Sequence, residues 1–120
     1  MAGRKDHGLE ILLYLDGDRY FIDEDGNYEV CFSVRKTRVS TGKPYGISYS
    51  LVLIDKHGKR IFGFDNAHRV PDGKGRSSKI TVTFDHKHIW DRTTPYKYLG
   101  AVKLVAYFWK QVDKILKEKE

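Results

Sequence analysis

Apolar positions in this chain alternate far more often than they cycle. Tyr28, Val30, Phe32 and Val34 take every second place while Glu29, Cys31, Ser33 and Arg35 fill the others, the period of a strand with one buried face. Residues 46–55 repeat the pattern with Ile47, Tyr49, Leu51 and Leu53 on one side. Further short strands are expected over 10–15, 19–22 and 60–65. A last one over 79–84 should continue its pleat into His86 and His88. Between them fall Asp16-Gly17-Asp18, Glu24-Asp25-Gly26-Asn27 and Asp55-Lys56-His57-Gly58-Lys59, turn chemistry of the kind that closes antiparallel hairpins. Arg92-Thr93-Thr94-Pro95 breaks the strand pattern, and from about 98 to 117 the period becomes helical. Val102, Val105, Phe108, Trp109, Val112, Ile115 and Leu116 form its apolar stripe. The expected fold is α+β: one domain over 1–120, a twisted antiparallel β-meander of five or six strands with a C-terminal amphipathic helix packed on one face.

Composition narrows the function only a little. Lysine and arginine exceed aspartate and glutamate by 22 to 16, a net charge of +6, which favours polyanionic partners through long-range attraction. Cys31 is the single cysteine, so an intrachain disulfide framework and a thiolate metal cluster are excluded. The longest apolar run, Ile11-Leu12-Leu13-Tyr14-Leu15, is too short to span a bilayer. A cytoplasmic protein without a membrane segment is expected. His7 and His57 stand in polar contexts and read as solvated residues.

Chemistry concentrates in two stretches. Asp85-His86-Lys87-His88-Ile89-Trp90-Asp91 places two imidazoles, two carboxylates and a cation within one short segment. Gly63-Phe64-Asp65-Asn66-Ala67-His68-Arg69 ends another strand in the same manner, with Asn66 and His68 expected on the face of Phe62 and Phe64. Were the two strands neighbours, His68, His86 and His88 would meet at one sheet edge. The glycine-rich Pro71-Asp72-Gly73-Lys74-Gly75-Arg76 lacks the ending and the following helix of a phosphate-binding loop, and reads as a surface loop. Residue by residue, a polar strand end with Asx turn chemistry is the favoured account of both stretches. A divalent ion held by His68, His86 and His88 with a carboxylate is the metal alternative.

Four segments taken together resemble the TumE family of toxins from type II toxin–antitoxin modules. They are Gly46-Ile47-Ser48-Tyr49-Ser50-Leu51, Gly63-Phe64-Asp65-Asn66-Ala67-His68, Asp85-His86-Lys87-His88, and Pro95-Tyr96-Lys97-Tyr98 ahead of a helix with Phe108-Trp109. The resemblance spans roughly residues 8 to 117, and its most specific pieces are the Asp-Asn-Ala-His and His-x-His segments. It implies a small toxin that cleaves RNA and is encoded beside an antitoxin with a helix-turn-helix DNA-binding domain. It also makes the residues of those segments the natural candidates for activity.

The residue chemistry fits that implication. Cleaving RNA through its own 2′-hydroxyl needs a base, an acid and a cation near phosphorus, and imidazole can fill either proton-transfer role near neutral pH. His86 and His88 are the expected acid–base pair in either order, with His68 the next candidate. Lys87, Arg69 or Arg92 would stabilise charge, and Tyr96 and Tyr98 would stack on a base or contact phosphate. Asp65 or Asp91 would fix an imidazole tautomer, with Asn66 and Asp85 as further support. No cofactor is needed in that scheme. The alternatives are a metal-dependent nuclease or hydrolase using the same histidines and a non-enzymatic basic module binding RNA or a partner. Exposed strand edges leave room for a homodimer or an antitoxin-covered edge.

Overall fold

A computed structural model describes residues 8–40, 43–66, 70–71, 80–81 and 85–119. In chain order the elements are α1 (Leu9–Tyr14), β1 (Arg19–Phe21), β2 (Tyr28–Lys36), β3 (Ile47–Asp55), β4 (Arg60–Asp65), β5 (Val70–Pro71), β6 (Ile80–Thr81), β7 (His86–Ile89), β8 (Arg92–Pro95) and α2 (Ala101–Lys119). Six strands form an antiparallel sheet in the order β1-β2-β3-β4-β7-β8, while β5 and β6 pair separately as a ribbon. The expected α+β meander with a C-terminal helix is therefore the architecture found, with a two-stranded ribbon between its fourth and fifth sheet strands.

The alternation read from β2 and β3 sets the core. Val30, Phe32 and Val34 face the helices beside Ile47, Tyr49, Leu51 and Leu53, and Phe62 and Phe64 of β4 continue that face. Ala101, Leu104, Phe108 and Val112 of α2 cover it. Phe108 is the keystone, its ring centroid 5.3 Å from Phe32 and 5.8 Å from Phe62. Burying such a ring contributes about 1.5–3 kcal/mol. The helical stripe differs from the expected one at its start. Val102 is exposed and Leu104 takes the core position, because Ala101, Leu104, Phe108 and Val112 share one helical face and Val102 falls outside it.

Two sequence expectations are overturned by tertiary contacts. Residues 10–15, expected as a strand, form most of α1. Leu12 enters the core and Leu9 and Leu13 pack against it, a three- and four-residue spacing hidden within an unbroken apolar run. Asp16-Gly17-Asp18 thus joins a helix to the sheet instead of closing a hairpin. Here the Asp16 carboxylate accepts the Val34 backbone N–H at 2.8 Å. Arg92–Pro95, expected to break the pattern, is β8, whose exposed side chains carry no alternation and whose pairing comes from β7 backbone. The expected run from Ile80 into His86 is described at its two ends, as β6 paired with β5 and β7 paired with β4. Val82–Phe84, which were to connect them, lie outside the described residues, as do His7 and residues 72–78 of the glycine-rich loop.

Candidate active site on the helix-free face

Residues paired across an antiparallel sheet share a face, so the register decides where the chemistry sits. Phe62 pairs with Leu53 and Phe64 with Leu51 on the helix side. Asp65 between Ser50 and His86, and Gly63 opposite His88, therefore look the other way. Thr93 of β8 lies opposite His88 on that same face. A register shift between Leu53 and Ile54 brings Arg60 opposite Ile54, onto this face as well. Gly63 keeps the strands close, since a Cβ there would stand 2.8 Å from the Leu51 carbonyl oxygen.

The cluster centres on one carboxylate. Asp65 Oδ2 is 2.6 Å from His88 Nε2, and Asp65 Oδ1 is 4.0 Å from His86 Nδ1. On its other side His88 Nδ1 is 3.1 Å from Thr93 Oγ1. With both ring nitrogens engaged, the consistent assignment has His88 Nε2–H donating to Asp65 and Nδ1 accepting from the Thr93 hydroxyl. Burial lowers the proton affinity of this imidazole; Asp65 opposes that effect and the Arg60 charge adds to it. His88 is accordingly neutral at neutral pH. Its side chain is 4% exposed, against 13% for His86, so the two imidazoles share a carboxylate but not an environment.

A second carboxylate sits at the same end of the sheet on the opposite face. Asp85 precedes β7, is buried, and receives the Tyr49 phenol O–H. Burial pushes its carboxyl up to about 6, with the Tyr49 hydrogen bond opposing. Burial beside Asp85 also raises the Tyr49 phenol strongly. The Asp85 carbonyl accepts the Tyr96 N–H at 2.8 Å, which ties β7 to the segment leaving β8.

The expected site residues separate into groups. Asp65, His86 and His88 come together, as does the strand adjacency that was to unite them, since β4 and β7 pair directly. Asn66 acts as a strand mimic. Its Oδ1 accepts the Tyr49 N–H at 2.8 Å and its Nδ2 donates to the Ile47 carbonyl at 3.0 Å, extending the grip of β4 on β3. Asp91 occupies the exposed β7–β8 turn and bonds neither imidazole. Lys87, paired with Phe64 and Thr94, and Arg92, paired with Ile89, fall on the helix side of the sheet, away from the histidines. Tyr96 packs on Phe64 with ring centroids 4.4 Å apart, and Tyr98 lies 4.8 Å from Tyr45 and 5.8 Å from Tyr49. These two rings are packing residues here. His68 and Arg69 lie outside the described residues. Among the described residues no group of three or more histidine, cysteine or acidic side chains is arranged to hold a metal ion. Thr93, Arg60 and Tyr49 were not foreseen as participants. A hydroxyl on an unpatterned edge strand, a cation shifted by a bulge and a tyrosine inside a regular alternation give no local signal.

With this geometry in view, comparison with known families is informative. The family model described as Toxin TumE matches residues 12–116. The chain belongs to the TumE toxin family. A toxin role and an antitoxin partner follow from that membership. The TumE match covers every strand of the sheet together with the Asp65–His86–His88 cluster. No curated protein and no solved structure matches this TumE chain. No helix among its described residues is long and apolar enough to cross a membrane.

Proposed function

We propose that this toxin is a ribonuclease whose proton-transfer residue is His86. The supporting observation is the carboxylate of Asp65 spanning two imidazoles of unequal exposure, 2.6 Å from one and 4.0 Å from the other. In this reading the 2′-oxygen of the RNA bonds to phosphorus as its proton passes to His86. The resulting imidazolium returns the proton to the 5′-oxygen as the P–O5′ bond breaks. Asp65 orients His86 and balances its transient charge, as a buried carboxylate does for a catalytic imidazole. His88, held at both nitrogens, is a positioning residue that fixes Asp65 through the Thr93–His88–Asp65 chain. Arg60, whose charge is felt at His88, supplies a cation for the crowded phosphate. The partner is an antitoxin carrying a helix-turn-helix DNA-binding domain.

A cleavage time course on RNA by the purified protein tests this. Wild type should cleave in the presence of excess chelator, and His86→Ala should lower the rate by about 100-fold or more while remaining folded. Cleavage that chelator abolishes would transfer the histidines to a metal site. RNA that binds in a salt-dependent way and stays intact would leave a binding module.

A further inference from the structure

The β7–β8 hairpin ends on a feature that the cleavage chemistry does not use. Trp90 has φ 52°, a left-handed conformation that a bulky residue adopts only when its surroundings enforce it, and such outliers cluster where a chain contacts a ligand. Its N–H is anchored to the Ile61 carbonyl at 2.8 Å, while the residue remains 41% exposed. Beside it opens a cavity of about 270 Å³, lined by Trp90, Ile61, Tyr28 and Asn27 together with Lys56 and His57 of the β3–β4 turn. Asp55, the acidic member of this wall, is turned to other work, since its carboxylate accepts the His57 and Lys59 backbone N–H groups, each at 2.9 Å.

We infer that this cavity is a base-binding subsite for single-stranded RNA, with Trp90 as the stacking surface. The inference rests on the ribonuclease reading for its substrate class. An indole face with Asn27 and His57 nearby offers stacking together with hydrogen-bonding groups for a base edge. Lys56, Lys59, Arg60 and Arg92 are all exposed around this end of the sheet, and phosphate contacts require such cations. Position favours the same ligand. Trp90 directly follows β7 (His86–Ile89), the strand that carries both imidazoles. Arg60 adjoins Ile61 in the chain at this same end of the sheet, and its charge acts on His88. A short run of single-stranded RNA rounding this end of the sheet can thus place one base at Trp90 while a phosphate farther along the run reaches His86 on the helix-free face.

The test is binding of a fluorescein-labelled 2′-O-methyl RNA decamer, which lacks the 2′-hydroxyl needed for cleavage, to the full chain and two variants. Trp90→Gly removes the ring while accepting the positive φ, so thermal stability should be preserved; Trp90→Phe keeps a ring. Trp90→Gly should bind about tenfold or more weakly, and Trp90→Phe should stay within about threefold of wild type, given what one base stack contributes. Equal affinity of wild type and Trp90→Gly would overturn the subsite, as would equal losses in the two variants. Cleavage of unmodified RNA, measured in parallel, keeps the two readings apart. Trp90-dependent binding without cleavage retains the subsite and removes the nuclease, whereas cleavage with Trp90-independent binding does the reverse.

Discussion

Asp65 and Asp85 are the same residue type at the same end of the same sheet, both buried, and the sheet separates them. Asp65 faces away from the helices and meets imidazole nitrogens. Asp85 faces the core and meets a phenol. An imidazole can take up a proton, so charge on the first carboxylate can be matched by moving a proton within the cluster. A phenol driven upward by burial cannot do so, and burial raises the second carboxyl to about 6 against the opposing Tyr49 hydrogen bond. Partner chemistry, more than depth, makes one of these groups a candidate for catalysis and the other an anchor for the start of β7.

The largest effect that could break this contrast is on cleavage. Asp65→Asn should lower the rate by about 100-fold or more, whereas Asp85→Asn should change the rate far less; equal losses measured on RNA would erase the distinction. The next is the pH dependence of stability. Because the folded-state pKa of Asp85 lies above its unfolded value of 3.8, the native chain binds the extra proton. Its contribution is fully present below about pH 4 and is lost as pH rises to about 6, on the order of 1–3 kcal/mol. His88 has the opposite sign. Its folded-state proton affinity is lowered from the model-peptide value of 6.5, so stability is lost as pH falls below that value. Urea melts from pH 4 to 7 should therefore show Asp85→Asn removing the decline toward neutrality and His88→Gln removing the decline on acidification. Slopes unchanged in either variant would withdraw that residue's assignment.

Packing sharpens the comparison at a smaller scale. Gly63→Ala would drive a Cβ against the Leu51 carbonyl at 2.8 Å, and a cost of about 1–3 kcal/mol is expected in denaturant melts, with the His88 side of the sheet disturbed. Thr93→Val should cost least, about 1 kcal/mol. Its signature should be a shift in the His88 ring-nitrogen resonances, because only the Nδ1 partner is lost. Unaltered resonances would show that Thr93 does not set the tautomer.

Legibility followed the physical range of each signal. Strands β2 and β3 were readable because one buried face imposes a period of two that the residues report locally, and β4 because Phe62 and Phe64 stand in phase although Ile61–Asp65 are buried throughout. The Asp25-Gly26 turn between β1 and β2 was readable because positive φ selects glycine, as Gly26 at 69° shows. His86, His88 and Asp65 were readable as chemistry, since histidine and aspartate at strand ends stand out against an apolar alternation. Helix α1 was missed because an unbroken apolar run fits either period, and its packing on α2 and β2 decides the matter. Strand β8 was missed because an exposed edge is held by backbone hydrogen bonds, which carry no side-chain code.

By itself, the sequence determined the α+β class, the helix-facing alternation, the basic charge and the histidine-rich segments that carry the TumE resemblance. Only the tertiary structure decided which face each carboxylate occupies, that Asn66 serves the backbone of β3, that Lys87 and Arg92 turn away from the imidazoles, and that Thr93 and Arg60 join them. The reason is register. A one-residue shift exchanges the faces of a strand, and register is fixed between strands, by cross-strand pairing and by the bulge near Ile61, so no single strand can announce it.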